Sequence, residues 1–224
     1  MIAHLEPALS APVPVDVGTH HLQGLLGVPD AAKGLVIFAH GSGSGRLSPR
    51  NNHVADALRA AGLATLLIDL LTPDEELDRI NVFDIPLLAD RLASATEWAM
   101  EQPDTKALPI GYFGASTGGG AALLAAAKAD GRIKAVVSRG GRPDLAGHTA
   151  LSRVHAPTLL LVGSLDTPVI ELNHAAMQAM HCPVSLVIIP GATHLFEEPG
   201  TLDQVINHAG IWFLRYFAAS KMEK

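Results

Sequence analysis

The stretch Gly114-Ala115-Ser116-Thr117-Gly118 constrains this chain more than any other part of it. An apolar run, Leu108-Pro109-Ile110-Gly111-Tyr112-Phe113, precedes it and reads as a buried strand. A run of small residues, from Gly119 to Ala127, follows it and reads as a helix. Gly-x-Ser-x-Gly between strand and helix is the sequence form of a nucleophile elbow, a turn so tight that the serine hydroxyl stands clear of the sheet. A side chain two residues before or after the serine would collide where strand and helix approach most closely. With 21 glycines in the chain, composition alone produces such a match in about one chain in ten, so the surrounding sequence has to carry the assignment.

That surrounding sequence alternates apolar strands with helical segments. Continuous apolar runs at residues 34–39, 63–68, 133–137, 158–163 and 184–189 predict buried strands, with one or two shorter strands between Val13 and Val28. Ser48-Pro49 predicts a helix start, with Val54, Leu58 and Ala61 on its inner face and Gly62 at its end. Asp84 and Pro86 predict another, with Leu88, Leu92, Ala95 and Ala99 buried, and Thr167-Pro168 opens a third running to Met180. Thr201 and Gln204 match a capping box ahead of Val205, Ala209, Trp212, Phe213 and Tyr216, which recur at helical spacing. Residues 72–83 lack periodicity and form the longest irregular stretch, a candidate mobile flap. This order predicts a doubly wound, mostly parallel α/β sheet, one domain over residues 13–220, and a loose Pro- and Ala-rich arm over residues 1–12.

Composition narrows the function. A length of 224 residues and 48% apolar content fit one α/β core, and a formal charge of −6 with no Lys/Arg cluster argues against nucleic acid as a partner. Cys182 is the only cysteine, which excludes an intrachain disulfide and a cysteine-based zinc site; the scattered histidines suggest no metal site. No stretch is long and apolar enough to span a bilayer, and the first residues lack the basic and apolar regions of a signal peptide, so the reading is cytoplasmic with no membrane partner.

Functional groups in such a sheet belong at the carboxyl ends of its strands. Three strand-end loops carry the residue types that acyl transfer requires: Ser116 in the elbow, Asp166 after the strand ending at Gly163, and His194 after the strand ending at Pro190. A serine hydroxyl needs a base to take its proton, and the imidazole needs a carboxylate to hold its tautomer. Asp203 and Glu197 are other carboxylates near His194 in sequence, though both follow it. For the oxyanion, the Thr117 amide follows the nucleophile, and a second amide is expected from the glycine-rich loop after residue 39, that of Ser42 with Gly43 as the alternative. His40 reads as a brace for that loop. Arg139 and Arg142 lie on a glycine loop near the expected cleft mouth and are candidate receivers of a substrate anion.

The order Ser116, Asp166, His194 and the stretches His40-Gly41-Ser42-Gly43, Gly114 to Gly119, Val162 to Val169 and Gly191 to Phe196 together resemble the α/β-hydrolase superfamily, and within it the small, lidless dienelactone hydrolase-like group. The resemblance implies a sheet of about eight strands with the second antiparallel, no large lid domain, and hydrolysis of an ester-like bond of a small-molecule acyl substrate without a cofactor. Dienelactone hydrolase itself uses a cysteine nucleophile; Ser116 in that place favours ordinary esterase chemistry. Acyl transfer to an acceptor other than water, and a non-catalytic binding module on the same fold, remain the competing readings.

Overall fold

The computed structural model describes residues 11–222; most of the arm expected over residues 1–12 lies outside them. Eight strands form one sheet: β1 (Val13–Val17), β2 (Leu22–Gly27), β3 (Leu35–Ala39), β4 (Ala64–Ile68), β5 (Ile110–Ala115), β6 (Ile133–Arg139), β7 (Thr158–Gly163) and β8 (Val184–Ile189). Their order across the sheet is β1-β2-β4-β3-β5-β6-β7-β8. β2 runs antiparallel to both its neighbours, and every other pairing from β4 to β8 is parallel. Parallel strands need covered faces, which is why β3, β4, β5 and β7 are buried at every residue.

Helices α1 (Pro49–Ala60) and α8 (Thr201–Met222) cover one face, packing Val54, Leu58, Val205, Ala209, Phe213 and Phe217 against Phe38, Phe113 and Val137. Helices α4 (Ile85–Glu101), α5 (Thr117–Lys128) and α7 (Thr167–Ala179) cover the other. The starts of α1 and α4 follow the sequence: Ser48 accepts from the Asn51 amide and Asp84 from the Leu87 amide, each with proline in the first turn. On α8 the expected inner face holds at Val205, Ala209, Trp212 and Phe213, and its last member is Phe217 where Tyr216 was expected. Phe217 is fully buried against Phe213, with ring centroids 5.6 Å apart, and Tyr216 is only half-buried. Thr201 is not half of a capping box either; its hydroxyl donates back to the Glu198 carbonyl at 2.7 Å.

Residues 72–83 are not irregular. They fold into two short helices, α2 (Pro73–Glu76) and α3 (Arg79–Phe83). Thr72 and Glu75 exchange a capping box at 2.9 and 3.3 Å, and Asp78 caps the next turn through the Ile80 amide. Capping and the Arg91–Glu75 ion pair order this segment, with no apolar stripe to betray it: Leu77, Ile80 and Phe83 all face outward. Between β6 and β7 stand only a 3₁₀ turn (Pro143–Ala146) and the four-residue α6 (His148–Leu151), so no lid domain covers the carboxyl ends of the strands. Among the described residues no helix is long and apolar enough to cross a membrane.

Candidate active site

β5 lies at the centre of the sheet, hydrogen-bonded to β3 and β6, and ends at Ala115. Ser116 follows with φ 51° and ψ −122°, in the left-handed region that side chains avoid. Its backbone is held there by the surrounding fold. The Ser116 amide donates to the Arg139 carbonyl at 3.2 Å, and the Ser116 carbonyl accepts from Gly119 and Arg142, each at 3.0 Å. The Ser116 side chain caps nothing, which leaves its hydroxyl free to face the strand ends. Gly114 and Gly118 give the room for this turn. A Cβ on Gly114 would meet the Gly118 carbonyl oxygen at 2.5 Å, and one on Gly118 would strike the Ala39 and His40 carbonyls.

Asp166 occupies the position before α7 where a carboxylate ordinarily caps the helix, yet it makes no cap bond. Its Oδ2 instead accepts from His194 Nδ1 at 2.6 Å. Because a carboxylate can only accept, the proton sits on Nδ1 and the Nε2 lone pair faces outward. Nε2 lies 3.3 Å from Ser116 Oγ. The three side chains named from the sequence therefore form one hydrogen-bonded chain. The Asp166 side chain is 12% exposed and that of His194 38%, so the carboxylate is screened from water while the imidazole meets the cleft.

The loops that carry Asp166 and His194 are fastened to each other. Ser164 Oγ accepts from the Gly191 amide at 2.8 Å, and the Leu165 amide donates to Ala192 at 3.0 Å. The Thr193 hydroxyl and amide both donate to Glu198, and these bonds hold its carboxyl below the usual carboxylate range. The other two nearby carboxylates are engaged elsewhere: Glu197 with Arg50 at 2.6 Å and Asp203 with His53 at 3.5 Å.

Across the cleft, His40 accepts from the Leu70 amide through Nε2 and donates from Nδ1 to the Gly41 carbonyl, both at 2.9 Å. It thus ties the loop after β3 to the end of β4. Asp69 adds a second tie, accepting from the Arg46 amide at 2.6 Å and pairing with the Arg46 guanidinium. These contacts shape a cavity of about 630 Å³ bordered by the 40–50 loop, Leu71, Val82, Leu88 and Thr117. Of the amides expected to face an oxyanion, that of Thr117 has no protein acceptor among the described residues, and neither has that of Gly43. The Ser42 amide donates to the Thr117 hydroxyl at 3.1 Å.

The two arginines after β6 part company. Arg142 spends its fork on Asp144, with Nε and Nη2 donating at 2.8 and 2.7 Å. Arg139 is 8% exposed and lies on the face of β6 shared with Ala135 and Val137, its guanidinium 5.9 Å from the Phe196 ring centroid. Neither Nε nor Nη1 has a partner among the described residues. Burial, with the neighbouring Arg50 charge, pushes its pKa down to about 10, so it is still a cation at neutral pH. The sequence carried a signal for this burial: Arg139 continues the alternation set by Ala135 and Val137. Nothing local in the sequence pointed to the bond between Ser42 and the side chain of Thr117.

An eight-stranded sheet with an antiparallel second strand, and a strained serine between its central strand and the following helix, is the α/β-hydrolase fold. Residues 22–209 match the Dienelactone hydrolase family, and the chain belongs to that family. It is 57% identical, with a TM-score of 0.87, to the crystal structure of a dienelactone hydrolase from Anabaena variabilis, covering 92% of this chain and 96% of that one. Est1E from Butyrivibrio proteoclasticus shares the fold at 19% identity, with a TM-score of 0.78 over 93% of this chain and all of that one. A Mycobacterium tuberculosis protein provisionally named a phosphoribosyl transferase is 57% identical over 208 residues, which are 93% of this chain and 47% of that protein. The chain thus spans about half the length of the curated relatives it matches.

Proposed function

We propose that this chain is a serine hydrolase that cleaves an ester or related acyl bond of a small molecule. The observation that carries this reading is the continuous hydrogen-bonded chain from Asp166 through His194 to Ser116. Ser116 Oγ attacks the carbonyl carbon while His194 Nε2 takes its proton. Asp166 holds the proton on Nδ1 and stabilises the imidazolium that forms. The tetrahedral intermediate collapses as His194 returns the proton to the leaving oxygen. Water, deprotonated by the same imidazole, then releases the acyl group from Ser116. Membership of the Dienelactone hydrolase family supports hydrolysis. Ferulic acid has been seen bound to Est1E, a protein of the same fold, which supports a small acyl compound as the kind of ligand. The transferase name of the mycobacterial relatives belongs to proteins about twice as long, and we assign that chemistry to the part this chain does not match.

A fluorophosphonate probe is expected to label the wild-type chain at one site and to leave Ser116→Ala unlabelled. Labelling that survives the substitution, or a wild type that resists every acyl probe, would return the chain to the non-catalytic binding reading.

On the substrate, Arg139 favours an ester that carries an anionic group: Nε and Nη1 are sealed from solvent, and Nη2 is the donor left to meet it. Burying a cation without a partner is costly, and a carboxylate or phosphate placed against it offsets that cost. Arg142 is a poor second receiver because Asp144 already fills its fork. Arg139→Met is expected to raise thermal stability while lowering kcat/KM for an anionic ester by about 10- to 100-fold relative to a neutral ester of the same size. An equal change for both esters would assign Arg139 to packing alone.

A further inference from the structure

The fold holds the hydroxyl of Thr117 in a way that the sequence did not announce. Thr117 is the first residue of α5, so no helical carbonyl one turn earlier is there to take its hydroxyl. Thr117 Oγ1 makes no bond to a protein acceptor among the described residues, and its recorded contact is with the Ser42 amide, which donates to it at 3.1 Å. Thr117 is 6% exposed and lines the cavity walled by the 40–50 loop. An amide donating to one lone pair of the hydroxyl leaves its proton pointing away from Ser42, with nothing to receive it. The Thr117 amide, beside the same Cα, is equally without an acceptor.

We propose that the Thr117 hydroxyl, held by the Ser42 amide, is a donor to the oxyanion, so that Thr117 supplies two hydrogen bonds and Ser42 acts through it as a positioning residue. This rests on the serine-hydrolase reading above. The hydroxyl polarised by Ser42 is a stronger donor than a free one, because bonds in such a chain reinforce each other in a site shielded from water. The rigidity of the loop serves the same end. His40 and Asp69 fix the backbone from which Ser42 reaches across, and that fixes where the Thr117 proton can point. The competing arrangement has the hydroxyl swing aside on substrate binding, so that the Ser42 amide meets the oxyanion itself.

Replacement of Thr117 separates the two. Thr117→Ala removes the hydroxyl and sets the Ser42 amide free, and Thr117→Val fills the same space without a donor. Under the proposal both lower kcat for a short p-nitrophenyl ester by about 10²-fold, the effect of losing one oxyanion donor, with KM nearly unchanged. The affinity for a trifluoromethyl ketone, which mimics the tetrahedral intermediate, falls by the same factor, and Thr117→Ser recovers most of both. A purely structural role would not weaken the ketone and kcat in step while sparing KM. Wild-type or higher kcat in Thr117→Ala overturns the proposal in favour of direct donation by Ser42. Thermal melts identify a variant that has simply lost its fold, and Thr117→Ser then decides by whether it keeps the ketone affinity. If the wild type is not labelled by fluorophosphonate, the hydrolase reading itself has failed and this inference fails with it. Labelled wild type with fully active Thr117→Ala sinks only the inference.

Discussion

His194→Ala is expected to lower kcat for a short ester by on the order of 10⁶-fold, and Asp166→Asn by on the order of 10⁴-fold, with KM little changed in either. The two losses differ because the residues act at different removes from the ester. Among the described residues His194 Nε2 is the one side-chain partner of Ser116 Oγ, so without it no base is at hand to take the proton. An asparagine at 166 keeps the shape but presents its amide to Nδ1. That moves the ring proton to Nε2, so a donor faces the Ser116 hydroxyl where a lone pair is needed. The carboxylates closest in sequence cannot substitute, because Glu197 pairs with Arg50 and Glu198 with Thr193. Stopped-flow turnover of a p-nitrophenyl ester gives both values. A loss of only a few-fold in His194→Ala would mean that another group serves as base.

Gly118→Ala is expected to destabilise the fold by about 3 kcal/mol, the upper part of the range for overpacking, and so to lower Tm by about 10 °C for a domain of this size. The added methyl would run into the Ala39 and His40 carbonyl oxygens. Neither can step aside. Ala39 is buried in register with Gly114, and His40 is held at both ring nitrogens. The first turn of α5 would have to lift off the sheet and carry Ser116 with it. Gly210→Ala on α8 is the control. Its methyl would find only Leu58 at an ordinary 3.8 Å, and alanine in a helix interior should add about 0.5–1 kcal/mol. Calorimetric melts of the two variants should therefore move in opposite directions.

The parts of the molecule that were legible in the sequence are those governed by local patterns. Runs such as Leu35–Ala39 and Thr158–Gly163 are continuous because both faces of the strand are covered, and strand-end loops then place Ser116, Asp166 and His194 within reach of one another. What stayed hidden depends on pairs that only the fold brings together. Residues 72–83 were opaque because reciprocal capping and the Arg91–Glu75 pair hold them, with their apolar side chains turned outward. The α8 face slipped from Tyr216 to Phe217 because the void above Gly34 and Gly111, which Phe217 fills, cannot be seen from α8 alone. The Ser42–Thr117 bond joins residues 75 positions apart and has no sequence signature.

The three glycines at positions 118–120 carry a consequence for how this chain reaches its native state. All three lie in the first turn and a half of α5, where each costs the helix about 1 kcal/mol relative to alanine, and all three are buried. Such a segment has little tendency to be helical by itself, and it is held in shape by β3, by the loop after β6 and by α4 packed around it. The turn at Ser116 therefore depends on the packing of the sheet and loops around it. Reactivity at Ser116 should rise and fall with global folding, so that under denaturant a covalent acyl probe would count folded molecules one by one.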